Sequence, residues 1–245
     1  MEKEIAFLLQ DKYGGIETPA FKKDIKRLKA GEPLDHVIGF VEFLGCKILV
    51  DKNVLIPRPE TEFWVESVIN DKPTNLSLSV CDMFAGSGAI GIAVLSHVKN
   101  SQVTFVDSEN AACAQIKKNC TLNKIQKNKY EIIQSDVFEN ITGQFDYIFA
   151  NPPYIPNNQE TRNKIQKSVI DYEPHVALFG GKDGLRYIRK FLALAKNFLT
   201  PGGRICMEFD TPQKNAIQQL LKKYQYARWE FHKDQYGKYR WVVIQ

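Results

Sequence analysis

No apolar run in this chain approaches the roughly 20 residues that a bilayer-spanning helix needs. The opening residues Met1-Glu2-Lys3-Glu4-Ile5 also lack the apolar stretch of a secretory signal. Cysteine is scarce: Cys46, Cys81, Cys113, Cys120 and Cys206 are scattered, odd in number and form no C-x-x-C pair. That excludes a disulfide framework and reads as reduced thiols. Histidine is scarcer still, at four residues with none at metal-ligand spacing to a cysteine, so no metal centre is expected. Asn119-Cys120-Thr121 and Asn140-Ile141-Thr142 match the glycosylation tripeptide, which means little without a secretory route. Charge of one sign is not concentrated: +5 over 245 residues is milder than a dedicated nucleic-acid binder carries. The densest basic run, from Lys22-Lys23 through Lys26-Arg27 to Lys29, reads as a solvated helix face. Internal repeats and low-complexity tracts are missing. These absences point to a cytoplasmic globular protein with no membrane attachment and no stable nucleic-acid binding.

What is present has a clear organisation. Glu2 to about Ala30 reads as one or two short amphipathic helices broken at Gly14-Gly15 and Pro19. Val37 to Val50 holds two apolar runs around Gly45, the pattern of a β-hairpin. Pro57 and Pro59 stiffen a connector ahead of a helix beginning near Thr61, whose first turn carries Glu60 and Glu62. From about Leu78 strands and helices alternate. The strands are Val80–Phe84, Val103–Asp107, Tyr130–Ile133, Phe145–Ala150 and Arg204–Phe209, and the helices Ala89–Val98, Glu109–Asn123, Gly184–Phe198 and Gln213–Tyr224. Such alternation predicts a parallel sheet covered on both faces. The closing pair, Ala227–His232 and Tyr239–Ile244, is joined by a short turn, so one of its strands must run antiparallel.

Two motifs carry chemistry. Asp82-Met83-Phe84-Ala85-Gly86-Ser87-Gly88-Ala89-Ile90-Gly91 lies where the first sheet strand turns into a helix and satisfies G-x-G-x-x-G. Its glycines let a ligand lie against bare backbone, and the exposed N–H groups of the helix start attract an anionic group. Asp107, about twenty residues on, ends the next strand where a carboxylate can take both ribose hydroxyls, and Ser108 follows it. This pair fits an adenosine-type ligand, whether a nicotinamide dinucleotide or S-adenosylmethionine. Asp82 can meet the cationic amino group of a methionine moiety, which a dinucleotide lacks. Ser135-Asp136-Val137-Phe138 follows the third strand, where Asp136 and Val137 can frame an adenine, or where Asp136 simply caps a loop.

The second motif, Asn151-Pro152-Pro153-Tyr154, exits the fourth strand at the carboxyl edge of the sheet, where open α/β sheets bind ligands. The Asn151 side-chain carbonyl and the Pro152 backbone carbonyl, held by fixed φ angles, can accept the two N–H bonds of a planar NH2 group. Tyr154 can lie on the flat face of that group. The plain alternative is a proline-rich strand exit.

Together with Leu55-Ile56-Pro57-Arg58-Pro59-Glu60-Thr61-Glu62 and Glu173-Pro174-His175-Val176-Ala177-Leu178-Phe179-Gly180-Gly181-Lys182-Asp183-Gly184, these motifs occur in the order that resembles the HemK/PrmC family. The resemblance covers about Ala30 to the C-terminus. It implies a class I Rossmann-like methyltransferase fold, a seven-stranded mixed sheet with an antiparallel final strand. It also implies a domain plan of a shortened helical segment (1–35), a hairpin linker (36–56) and a catalytic domain (57–245). The implied activity is transfer of a methyl group from S-adenosylmethionine, leaving S-adenosylhomocysteine, to the glutamine N5 of a class I peptide-chain release factor. By this resemblance Asn151, Pro152, Pro153 and Tyr154 are catalytic, and Asn151, Pro152, Tyr154 and Arg58 bind substrate, with Arg58 orienting it or fixing the connector. The cofactor set comprises Asp82, Phe84, Ala85, Gly86, Ser87, Gly88, Asp107, Ser108, Asp136, Val137 and Asn151. Three departures stand out: Phe84-Ala85-Gly86 in the glycine loop, Glu208-Phe209-Asp210 where Glu-Ile-Gly is usual, and, more seriously for release-factor docking, a helical N-terminal segment shortened to about thirty residues. The tetrad is shared with adenine-N6 and guanine-N2 methyltransferases, which are the rival reading. A nicotinamide-dependent oxidoreductase would leave the tetrad unexplained.

Overall fold

Residues 1–71 and 77–245 are described by a computed structural model. Its first elements follow from punctuation in the sequence. Helix α1 (Glu2–Tyr13) ends where Gly14 turns left-handed. Helix α2 (Pro19–Lys29) starts where Thr18 Oγ1 accepts the Phe21 N–H at 3.1 Å, with Pro19 placed where its missing donor costs nothing. A further turn, α3 (Leu34–Ile38), follows. Leu8, Phe21, Leu28, Val37 and Ile38 make a small core of their own. Val37 and Ile38, expected in the hairpin, therefore belong to α3, because burial against α1 and α2 outweighs their β-branched preference. The hairpin itself is β1 (Phe40–Phe43) and β2 (Cys46–Leu49), antiparallel about Leu44-Gly45. Its buried residues Phe43, Cys46 and Ile48 pack into the same core as Trp64 and Val65 of α4 (Pro59–Asn70).

Strands and helices then alternate: β3 (Ser79–Met83), α5 (Ala89–His97), β4 (Gln102–Asp107), α6 (Asn110–Leu122), β5 (Tyr130–Gln134) and β6 (Phe145–Ala150). Three short helices follow, α7 (Gln159–Lys164), α8 (Lys167–Tyr172) and α9 (His175–Leu178). The chain closes with α10 (Arg186–Leu194), β7 (Leu199–Glu208), α11 (Lys214–Lys223), β8 (Trp229–Lys233) and β9 (Tyr239–Ile244). The sheet order is β5-β4-β3-β6-β7-β9-β8. The first five strands pair in parallel, and β9 alone runs against its neighbours β7 and β8. One face is covered by α4, α5 and α6 around Trp64, Ile92, Ile116 and Phe105, the other by α10 and α11 around Ile188, Phe191, Ile217 and Leu221. No helix among the described residues is long and apolar enough to cross a membrane.

The order of strands creates the site. From β3 the chain winds outward through β4 and β5, then returns to lay β6 on the other side of β3. At such a reversal the two strand ends diverge and leave a crevice. The register pairs Met83 with Ala150, so the glycine loop and the Asn151 tetrad leave neighbouring strands at the same level.

The segment after the tetrad is held by its own small ladder. Ile155 N–H donates to the Leu178 carbonyl at 3.0 Å, and Gly180 N–H donates to the Ile155 carbonyl at 2.9 Å. A Cβ on Gly180 would stand 2.4 Å from the Pro153 carbonyl oxygen and 2.5 Å from that of Gly184. Both are backbone atoms in a packed turn. Gly180→Ala should therefore cost about 1–3 kcal/mol of stability through overpacking. Equilibrium urea unfolding checks this, and an unchanged midpoint would show that the turn yields freely.

Candidate active site

At the crevice a cleft is bordered by Leu55, Phe84, Gly86, Asp107, Ser108, Asp136, Val137, Asn151, Pro153, Val176 and Tyr187, among others. A second, shallower hollow adjoins it, lined by Pro57, Thr61, Ala85 and Ser87 and sharing Leu55, Phe84, Gly86 and Asn151 with the first. Asn151 thus stands where the two spaces meet.

The cleft fits an adenosyl ligand. Gly86 has φ +54°, and a Cβ built there would meet nothing within 4 Å, so the turn presents bare backbone to open space. Asp107 Oδ2 accepts the Gly86 N–H at 2.8 Å and Oδ1 accepts the Glu109 N–H at 2.9 Å. Each oxygen keeps a lone pair for a ribose hydroxyl, and the carboxylate cannot swing away. Burial raises the pKa of Asp107, and these N–H bonds pull against that rise. Val137, with φ +58°, and Phe84, with φ +62°, supply apolar wall. Both hold left-handed backbone that favours glycine, a cost of order 1 kcal/mol or more each, met by burial among neighbours. The Phe84 ring packs edge-on against Tyr187 and Phe191. Asp136 borders the cleft while its carboxylate pairs with Lys190 at 2.8 Å.

Several expected residues occupy other positions. Gly88 caps α5 and Ser87 is buried, its carbonyl accepting Asn119 Nδ2–H at 2.8 Å. Asp82 does not border the cleft. It is 1 % exposed, and its Oδ2 accepts the Gly91 N–H at 2.8 Å in the first turn of α5. Its Oδ1 is buried without a hydrogen-bond partner. Arg58 faces Glu173 at 2.5 Å, and the Ile56 N–H donates to the other oxygen of that carboxylate at 3.1 Å. Arg58 and Glu173 thereby clasp the Leu55–Pro57 wall of the cleft to the segment that carries Val176. His175 bonds the Ile170 carbonyl at 2.9 Å, an internal fastening.

The tetrad is rigid. Pro152 and Pro153 are buried, and Gln213 Nε2–H donates to the Tyr154 carbonyl at 2.8 Å. The Asn151 amide donates from Nδ2 to Thr61 Oγ1 at 3.3 Å. No hydrogen bond to Asn151 Oδ1 or to the Pro152 carbonyl is present among the described residues. The Tyr154 hydroxyl is turned inward and donates to Glu208 Oε1 at 2.9 Å. Glu208, 1 % exposed, also accepts the Thr61 hydroxyl and the Trp64 indole N–H on Oε2, both at 2.7 Å. Burial raises its pKa, and the three donors oppose the rise. In the sequence Glu208 stands out only within the variant tripeptide Glu208-Phe209-Asp210, and Thr61 only as one letter of the Pro57–Glu62 motif. The available signal was a lone carboxylate closing the apolar run Ile205-Cys206-Met207 at the sheet's carboxyl edge.

A crevice at the β3/β6 reversal, a bare glycine turn facing a doubly anchored carboxylate, and one antiparallel strand closing the sheet define a class I S-adenosylmethionine-dependent methyltransferase. The family model for the methyltransferase small domain matches residues 61–182. Solved structures share the fold. A methyltransferase from Pyrococcus furiosus superposes with a TM-score of 0.60 at 19 % identity, over 82 % of this chain and 88 % of its own. A ribosomal protein L11 methylase from Lactobacillus delbrueckii gives 0.55 at 17 %, over 78 % and 80 %. Sequence relatives are more specific. The release factor glutamine methyltransferase of Lactococcus lactis is 35 % identical over 97 % of this chain and 86 % of its own length. That of Francisella tularensis is 39 % identical over 86 % and 73 %. The chain belongs to the release factor glutamine methyltransferase family.

The buried Asp82 yields a pH prediction. Burial, the largest influence, lifts its pKa to about 8. A folded pKa above the unfolded value means that the contribution to stability is fully present below about 4 and is lost as pH rises through about 8. Asp82→Asn, which mimics the protonated acid, should flatten the stability–pH profile between those limits by on the order of 1 kcal/mol per pH unit. Parallel profiles for the two proteins would contradict it.

Proposed function

We propose that this enzyme methylates the side-chain amide nitrogen, N5, of the glutamine in the Gly-Gly-Gln loop of a class I peptide-chain release factor. The observation that carries the reading is Asn151 at the meeting point of the two hollows, its Oδ1 without an internal partner among the described residues, followed in the chain by the Pro152 carbonyl, which also has none. The N–CH3 bond forms as the S–CH3 bond of S-adenosylmethionine breaks, S-adenosylhomocysteine leaves with the sulfur electron pair, and one amide proton passes to solvent. Asn151 and Pro152 each accept one N–H of the substrate amide, which aims the nitrogen and stabilises the positive charge that develops on it. An amide nitrogen is a poor nucleophile because its lone pair is delocalised into the carbonyl. Orientation and preorganised acceptors are therefore the levers this corner supplies. Tyr154, its hydroxyl held by Glu208, fixes the end of the tetrad, and Pro153 borders the cleft. Arg58 acts through Glu173, holding the wall past which the substrate loop enters.

Gly86 and Asp107 hold the adenosyl moiety in this reading, with Phe84, Ser108, Asp136 and Val137 around it and Ala85, Ser87 and Gly88 shaping the turn. Asp82 supports them from beneath. The reading keeps the division into a helical segment (1–35), hairpin (36–56) and catalytic domain (57–245), supported by the separate small core of α1–α3. It places the enzyme in the cytoplasm with a protein substrate and no lasting hold on nucleic acid.

The same acceptors suit an adenine or guanine amine, but the relatives named above and the mild net charge of +5 favour the protein amide. Radiolabelled S-adenosylmethionine offered with a release factor, its Gln-substituted variant, tRNA, rRNA and DNA separates the two. Label should appear on the unaltered release factor alone, and label confined to nucleic acid would reject the assignment. Asn151→Ala should lower kcat at least 100-fold while S-adenosylhomocysteine binding stays within a few fold. A variant with near-native turnover would remove Asn151 from the reaction.

A further inference from the structure

The tetrad is reached from behind by a chain of polar groups that the methyl-transfer reading does not by itself require. Thr61, 3 % exposed in the first turn of α4, lies between Asn151 and Glu208. Its hydroxyl is 2.7 Å from Glu208 Oε2 and 3.3 Å from Asn151 Nδ2. A threonine hydroxyl has one proton to give and two lone pairs. The indole N–H of Trp64 can only donate, and it takes the same Glu208 oxygen. Tyr154 donates to the other oxygen. Three donors converging on one carboxyl group suit an acceptor-only carboxylate. The Thr61 proton is then committed to Glu208, and Thr61 can meet Asn151 only as an acceptor. A primary amide facing an obligate acceptor must present its NH2, so its carbonyl oxygen is left pointing away.

We propose that Glu208 and Thr61 are positioning residues that fix the polarity of the Asn151 amide, holding its NH2 inward so that Oδ1 faces the cleft as an acceptor. The proposal rests on the reading above, in which Asn151 must accept from the substrate amide. Neither residue touches the reacting atoms. Without the relay the Asn151 amide can rotate by half a turn and offer NH2 to the substrate NH2, a pairing of two donors. The two orientations are nearly equal in shape, so packing alone selects poorly between them. The relay selects by hydrogen-bond direction.

Thr61→Val keeps the side-chain shape and removes the hydroxyl, Thr61→Ser restores it, and Thr61→Ala serves as a second hydroxyl-free variant should Val perturb folding. In the nuclear magnetic resonance spectrum of the ligand-free protein, the Asn151 NH2 pair is assigned by its loss in Asn151→Asp. Slow exchange and a wide proton splitting are expected for wild type and Thr61→Ser, and fast exchange with a narrowed splitting for Thr61→Val and Thr61→Ala. An Asn151 pair that is the same in wild type and Thr61→Val would overturn the relay. In turnover assays the hydroxyl-free variants should lose at least 10-fold in kcat with KM for S-adenosylmethionine within about twofold, and Thr61→Ser should recover most of the loss. Unchanged kcat in both hydroxyl-free variants would also overturn it. A wild-type enzyme inactive on every release factor would defeat the substrate assignment instead, and the spectrum then decides the relay by itself.

Discussion

Parallel pairing of β3 with β6, in the register that sets Met83 beside Ala150, is the constraint on which the rest depends. It brings two loops that are 60 or more positions apart in the chain to one corner of the sheet. On one side leaves a glycine turn, on the other an amide followed by two prolines. Slipping this register by one residue would invert every side chain of β6 and bury Asn151's neighbours on the wrong face. The pairing is well protected against such a slip. Cys81, Met83, Ile148, Phe149 and Ala150 are all essentially inaccessible, so both faces of both strands are committed to core.

Around this corner the protein buries carboxylates and disposes of each differently. Asp107 is anchored by two backbone N–H groups and left with free lone pairs. Asp82 caps the N-terminal turn of α5 with one oxygen and keeps the other unpaired. Glu208 is saturated with three side-chain donors. Glu173 is held by Arg58 and the Ile56 N–H. Burying charge is costly unless it is matched by donors, and Asp82, with one oxygen unmatched, is the group that burial drives furthest toward its neutral form, with a pKa of about 8. The same logic orients the donors: what is locked inward fixes what is left facing the cleft.

Elements that rest on local pattern were legible in the chain. Continuous apolar strands, the glycine turn and the proline exit all declare themselves within a few residues, and the final antiparallel strand followed from a turn too short for a parallel connection. Val37 and Ile38 misled because β-branched residues next to an apolar run suggest a strand, whereas their burial against α1 and α2 decided for helix. The three short helices α7, α8 and α9 carry few buried residues and so little periodicity. The polar framework was the least legible part. Thr61 and Glu208 are 147 positions apart, and Ile56 and Glu173 are 117 apart. No spacing rule connects such pairs. Asp82 lies near the end of β3, beside the cleft motif in sequence, yet its side chain serves the backbone of α5, accepting the Gly91 N–H.

The central claim is geometric, that a substrate NH2 is gripped by Asn151 and Pro152 beside the donor methyl. A crystal structure of the enzyme with S-adenosylhomocysteine and a peptide containing Gly-Gly-Gln tests it most directly. The account predicts the glutamine amide nitrogen within hydrogen-bond distance of both Asn151 Oδ1 and the Pro152 carbonyl, with the cofactor sulfur in line behind it. A glutamine bound away from these two oxygens, with the cofactor in its cleft, would contradict it.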